Sequence, residues 1–436
     1  MAHVAPSAVA GVQTFPVRQE TADPNAMRWL LGFCAGYAGI MLVFLNYAAV
    51  LPLIQREWRI SSATAGSIFS AYQVGYIISA VGLTWLTDRY NARTIFILSA
   101  FWSAIANGLF ALFATDPTSA LVLRALAGLG MGGTYMPGLK LVAERFPSEQ
   151  RGRAVGYYTS AFVFGAALST FLSGTIASVG GWRLAILTTA FGALAGSIMC
   201  TASLWELPAC SVAPTARQFA TDVIRNRPAL LMIVGYAGHM WEQYGMRGWM
   251  VAFLTANLVA FGQDAGSAAG RAALLASLIV GIGGIATGLT GMLSDRIGRT
   301  ATVAAVMLSS AACSFTFGWL FGAPLTVLVA MGLIYSFLVV AETPVLSAGL
   351  TELVSPAHVG AAMGLQTLFG FLAATASPAL FGLILDRTNP GLTGDALPTV
   401  WGWAFACLGI GALVGALAMG LARRDPASVQ MAGGRR

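Results

Sequence analysis

Apolar runs follow one another almost without pause from Trp29 to Leu421, and the short polar stretches between them carry most of the arginines. A run of about 20 apolar residues, rising 1.5 Å per residue as a helix, crosses a hydrocarbon core about 30 Å thick. The runs are too long for strands and show no alternation with period two. Backbone N–H and C=O groups in lipid must be satisfied within their own segment, so each run is predicted to be a helix. Twelve spans are expected, at 29–54, 63–86, 94–114, 118–143, 154–177, 184–204, 229–254, 271–293, 301–321, 325–350, 362–385 and 400–421. Residues 1–28 hold Pro6, Pro16 and Pro24 and no apolar core, and read as a polar tail rather than a signal peptide. The longest internal loop, 205–228, leaves six spans on each side, and 422–436 form a second tail.

Composition agrees with this pattern. Of 436 residues, 57% are hydrophobic and only 9% charged, against about 25% charged in a soluble domain. The chain therefore reads as an all-α polytopic membrane protein. Its single lysine, Lys140, follows Leu139, so no Gly-Lys-Ser/Thr phosphate loop exists. The five cysteines are odd in number and form no C-x-x-C pair, which implies neither a disulfide framework nor a zinc site. The three histidines are scattered, and no G-x-S-x-G is present. No catalytic residues, metal or cofactor are expected, and an enzyme is the least favoured class.

Charge placement sets the orientation. With the N-terminus in the cytoplasm, 17 of the 24 lysines and arginines fall inside, 5 outside, and Arg124 and Arg247 within spans. Both termini are then cytoplasmic, in an inner or plasma membrane. The net charge of +7 faces anionic headgroups rather than nucleic acid.

The two sets of six spans repeat. Leu86-Thr87-Asp88-Arg89 follows span 2 and Leu293-Ser294-Asp295-Arg296 follows span 8, an offset of 207 residues that Pro137 and Pro344 share. Glu144, Gly152, Ala154 and Gly156 match Glu352, Gly360, Ala362 and Gly364 at 208. Three features in one order at offsets of 207 and 208 indicate a duplicated unit. An even number of spans per unit makes it a parallel repeat of two six-helix bundles, at 29–204 and 229–421, joined by a cytoplasmic loop at 205–228.

These residues carry a resemblance. The Asp-Arg loops, the Arg124, Gly128, Gly130, Gly132 and Gly133 pattern of span 4 and the 6+6 layout are similar to the major facilitator superfamily over about residues 29–421. The first loop departs from the family pattern at Thr84 and Asn91, where glycines are usual. Span 5 reads Gly165-Ala166-Ala167 and lacks the Gly-Pro of drug/proton antiporters. The look of spans 4–5 and 10–11 resembles the nitrate, cyanate and oxalate porters. The resemblance implies a secondary transporter whose spans 1, 4, 7 and 10 line a central cavity.

Ionisable groups inside a membrane cost about 2.5–3.5 kcal/mol each on insertion scales and are functional candidates by default. Span 7 holds His239, Glu242 and Arg247. At 100° per residue, Glu242 and Arg247 lie about 60° and 80° to either side of His239, so the three are expected to face one cavity. Glu342 lies in span 10 before Pro344, and Arg124 in span 4, where the repeat makes Tyr135 the counterpart of Glu342. Asn46, with Tyr47 and Gln73, adds polar groups in spans 1 and 2. An apolar cavity disfavours a carboxylate's charged form, so Glu242 and Glu342 can load and release protons, while Arg124 and Arg247 can grip an anion. As the resemblance implies, Asp88, Arg89, Arg93 and Glu144 and their counterparts Asp295, Arg296, Arg299 and Glu352 form a cytoplasmic gate. The expected function is alternating-access transport of a small solute, an anion in the first instance, coupled to protons, by a monomer in contact with lipid. Two readings stay open beside it. One is an exporter of hydrophobic or cationic compounds, and the other a receptor or assembly factor with a transporter fold.

Overall fold

The computed structural model describes residues 25–86, 91–205, 221–355, 358–391 and 396–434. Among them are fourteen α-helices and no strand. In the first half these are α1 (Ala26–Ile40), α2 (Asn46–Trp58), α3 (Ser62–Leu86), α4 (Ala92–Phe113), α5 (Pro117–Arg145) and α6 (Ser148–Trp205). A short α7 (Thr221–Arg225) precedes the second half, α8 (Arg227–Ala260), α9 (Ala265–Ile297), α10 (Arg299–Phe317), α11 (Leu325–Ala341), α12 (Thr343–Leu353), α13 (Val359–Thr388) and α14 (Gly402–Arg424). Eight helical stretches among the described residues are long and apolar enough to cross a membrane, counting α1 with α2 and α11 with α12 as one rod each.

The remaining spans follow from local chemistry. Within α6 the chain turns back at Gly181, whose φ of 77° and ψ of 170° suit glycine alone, so α6 is two membrane-length legs. Helices α3, α5 and α8 have 25, 29 and 34 residues and also have spanning length. The architecture is therefore twelve spans in two six-helix bundles.

Two spans predicted as continuous are broken. Span 1 pauses between Ile40 and Asn46, and Ser169 of α6 repairs the break: its Oγ accepts from Leu45 N–H at 3.3 Å and donates to Leu42 C=O at 2.5 Å. This is how non-helical backbone survives at membrane depth. Span 10 breaks at Glu342 because Pro344 lacks an N–H and crowds the preceding turn. In α5 the counterpart Pro137 stays inside an unbroken helix.

The bundles are held by small residues. A methyl group built on Gly128 of α5 would lie 1.9 Å from the Tyr72 carbonyl oxygen of α3, and one on Gly75 equally close to the Ala125 carbonyl. Only glycine permits that crossing.

The halves meet along α3 with α13 and α6 with α9. These seams are not uniform along their length. At the end carrying Ser62 and Asp386, the Asp386 carboxylate accepts from the N–H groups of Ser62 and Ala63, both at 2.8 Å, and so caps α3 from the other half. Pro378 crowds Gly66 there, and Ala273 crowds Gly174. Toward the Arg299 end the seams loosen: a methyl on Gly284 would lie 3.4 Å from Val163, and Gly288, Gly291, Gly156 and Gly364 face open space.

Candidate functional site

A central cavity of about 130 Å³ lies between the halves. It is roomy on a measure where one water needs about 10–15 Å³. Its wall takes Tyr72, Gln73 and Tyr76 from α3, Tyr135 from α5, and His239, Gln243, Tyr244 and Arg247 from α8. Phe371 of α13 and Thr343, at the break in span 10, also contribute.

Of the residues singled out from sequence, Gln73, Tyr135, His239 and Arg247 line this cavity, whereas Asn46, Arg124, Glu242 and Glu342 stand behind its wall. Arg247 is almost fully buried and its Nε has no hydrogen-bond partner. A guanidinium carries five N–H donors, and Arg247 lines the cavity, so it can meet an acceptor there.

His239 joins the cavity to Glu342. Its Nδ1 lies 2.9 Å from Glu342 Oε1 and its Nε2 lies 2.8 Å from Thr343 Oγ1. Glu342 and His239 are both fully buried, and Glu342 Oε2 has no partner. A neutral imidazole donates from one nitrogen and accepts at the other. Loading one proton onto the Glu342–His239 pair therefore turns the far nitrogen from an acceptor into a donor toward Thr343.

Glu242 corrects the expectation of a shared cavity face. Its Oε2 accepts from Ser310 at 2.9 Å and its Oε1 from Ser314 at 2.7 Å, both on α10, and Ser314 is hydrogen-bonded in turn to Tyr335 of α11. Helical periodicity placed Glu242 correctly on its own helix. It could not say that α10, rather than the cavity, occupies that side.

Arg124 is fully buried in a cage within the first half. Its Nη1 donates to Asn46 Oδ1 at 3.3 Å, and Asn46 Nδ2 reaches Asn107 at 3.3 Å and Thr189 at 3.1 Å. The guanidinium carbon lies 4.6 Å from the centre of the Tyr72 ring and 5.3 Å from that of Tyr47, within cation–π range. Arg124 Nε and Nη2 find no partner. Tyr72 belongs to both the cage and the cavity wall, so it partitions them.

At the Arg299 end, Arg299 binds Asp295 at 2.5 Å and Glu352 at 2.9 Å, and Glu352 also accepts from Ala432 N–H at 2.9 Å. All four residues belong to the second half or its tail. Glu144 pairs with Lys140 at 3.7 Å, Arg93 lies over Trp205, and Arg296 is exposed. Asp88 and Arg89 lie outside the described residues. Sequence reasoning missed Asp386, which sits one residue beyond the predicted end of span 11, and most of the cavity's rings, which read as ordinary apolar residues.

Comparison with known proteins decides the family. The sequence model of the major facilitator superfamily matches residues 29–341 and again 244–434. The chain belongs to the major facilitator superfamily. It is a multi-pass membrane transporter of small molecules, not an enzyme. It is 28% identical over 74% of its length, and 76% of the relative's, to a Cupriavidus pinatubonensis protein named "Probable 4-methylmuconolactone transporter". It is 23% identical to the hexuronate transporter of Bacillus subtilis over 78% of this chain and 83% of that one. It is 25% identical to the cis,cis-muconate transport protein of Acinetobacter baylyi over 84% and 89%. Among solved structures, an inward-facing, occupied bacterial homologue of the human lysosomal transporter Spinster superposes with a TM-score of 0.74 at 18% identity, over 93% of this chain and 98% of that one. The D-xylose-proton symporter gives 0.69 at 19% identity, over 90% and 97%. At these identities the structures speak to the fold.

Proposed function

We propose that this transporter moves a small organic anion across the cytoplasmic membrane by alternating access, coupled to protons through Glu342 and His239. The observation that carries the reading is the pairing, on one cavity wall, of an unpartnered Arg247 with a His239–Thr343 contact that leads to a buried acid. A fixed cation there attracts an anion and repels the cations of the exporter reading. The relatives named for hexuronate and cis,cis-muconate support the same class. Arg124, behind Tyr72, adds positive potential, and Asn46 holds it in place.

The positive-inside bias supports a cytoplasmic Arg299 end. In this reading the molecule is shut outside by Asp386 and open inside, which the looser packing at the Arg299 end supports. In this arrangement Arg299 binds Asp295 and Glu352 of its own half. On switching, the gate residues of the two halves, Glu144 and Arg93 among them, approach and seal the cytoplasmic side while Asp386 releases α3. Each end is closed by contacts that the other end's closure breaks, which is what alternation requires.

The test is reconstitution in liposomes with an imposed pH gradient, following carboxylate accumulation and proton entry together. Carboxylate-dependent proton entry, absent in protein-free liposomes, is expected. A cation that accumulates in place of the carboxylates would overturn the reading.

A further inference from the structure

The cavity wall is chemically one-sided. Of its seventeen lining residues, eight are aromatic and three are methionines. The rings come from both halves. Phe44 stands 5.1 Å from Phe162 and 6.2 Å from Tyr244, Tyr244 stands 5.6 Å from Phe371, and Phe371 stacks on Tyr76 at 3.9 Å across the seam. Interplanar angles of 54°, 84° and 65° for the first three pairs mean that faces and edges alternate around the space. Ring faces are negative and edges positive, so such a wall grips a planar π-system through stacking and edge contacts together, and the methionine sulfurs add favourable contacts to a ring.

The wall's polar groups are the Arg247 guanidinium, His239, the Gln73 and Gln243 amides, and the hydroxyls of Thr343, Thr367 and five tyrosines. Arg247 Nε and Gln73 Oε1 are buried without partners, while His239 and Thr343 are turned to each other. One cation serves one carboxylate. A second carboxylate would be an unpaired charge against apolar walls, with Glu342 just behind His239, and its burial is costly. The tetrahedral carbon chain of a sugar acid offers the eight rings no flat face to stack against, so the wall favours a planar ligand over it.

We infer that the cavity takes a planar aromatic or conjugated monocarboxylate, its carboxylate on Arg247 and its ring between the walls of the two halves. This rests on the anion-transport reading and narrows it.

Calorimetric titration of the purified full-length protein with benzoate, 4-hydroxybenzoate, D-gluconate and succinate tests the class. The aromatic acids are expected to bind at least tenfold tighter than the other two. Arg247→Gln should weaken benzoate at least tenfold. Phe371→Leu, which keeps an apolar wall but removes a ring, should weaken benzoate about three- to tenfold and leave gluconate unchanged. Tyr76→Leu repeats the ring test on the opposite wall should the first variant not fold. In parallel, liposomes loaded with the wild-type protein are offered the same four acids under a pH gradient, with protein-free liposomes as the baseline for passive entry. Gluconate or succinate binding as tightly as benzoate and accumulating would overturn the inferred class and leave anion transport standing. Benzoate binding tightly while none of the four acids accumulates would uphold the class and defeat the transport reading. No binding by any of the four to folded protein would overturn the inference.

Discussion

The centres of the two halves are built on one repeat and carry opposite chemistry. In the first half, Arg124 of α5 is held by Asn46 and the rings of Tyr47 and Tyr72, with no carboxylate partner among the described residues. In the second, Glu342 meets His239, and Glu242 meets Ser310 and Ser314. The 207-residue offset makes Tyr135 the counterpart of Glu342, so duplication kept the backbone position and changed the group on it. A guanidinium is charged at every working pH, whereas a buried carboxyl touching an imidazole can exchange a proton. The first half thus holds a fixed cation alone, whereas the second sets its own fixed cation, Arg247, beside a pair that, on the proposed function, cycles a proton.

The sharpest way to break that comparison is Glu342→Gln. If the second half carries the proton, accumulation driven by a pH gradient should fall about 100-fold, while counterflow of the same acid between the two faces survives, because exchange needs no net proton movement. Paired uptake and counterflow assays read both. Equal loss of the two would mean that Glu342 shapes the site rather than cycles charge.

The two arginines give the next largest contrast. Losing a charge-assisted hydrogen bond costs about 1.5–3 kcal/mol, so Arg247→Gln should raise the half-saturating anion concentration about 10- to 100-fold. Arg124 sits behind Tyr72, and Arg124→Gln should raise it only about threefold and leave the proton-to-anion ratio unchanged. If the two effects come out in the reverse order, the anion sits in the first half's cage instead of the cavity.

Much of this contrast was legible in the sequence. Charged residues stand out in apolar runs, so Arg124, His239, Glu242, Arg247 and Glu342 could be picked without any structure, and the Asp-Arg and proline repeats announced the duplication. What each residue faces was not legible, since that depends on which helix packs beside it. Glu242 shows this: its angle on α8 was computable, but its serine partners lie 68 and 72 residues away on α10. Asp386 is 324 residues from the N–H of Ser62 that it caps, and at the end of its span it looks like any interfacial charge. Ser169 is one of many serines, and nothing local marks it as the repair of a break in span 1.

The two ends of the molecule extend the comparison from chemistry to motion. Asp386→Ala removes both acceptors that tie α3 to α13. At about 1–2 kcal/mol for the pair once partial exposure is allowed for, the balance between end-closed states should shift about tenfold. Spin labels at Gly152 and Gly360, which face open space at the parted end, would report a larger population with that end closed. An unchanged distance distribution would leave the α6–α9 seam to hold the far end shut alone.

The smallest expected effect discriminates between the two acids of the second half. Glu242 is separated from the cavity, and its four-residue network with Ser310, Ser314 and Tyr335 is satisfied. Glu242→Gln keeps an acceptor for one serine and offers an amide where the carboxylate had a second oxygen, so gradient-driven accumulation should stay within about threefold of wild type. Glu242→Leu leaves both serine hydroxyls and the tyrosine to find other partners, and buried groups without one cost about 1–3 kcal/mol each. It should lower the thermal midpoint clearly while Glu242→Gln does not. The pair of variants separates a structural acid from a coupling one, because only a coupling acid loses accumulation at unchanged stability. Should Glu242→Gln abolish accumulation as Glu342→Gln does, the second half holds two proton sites in series, and the hydroxyl network on α10 and α11 becomes part of the proton's route.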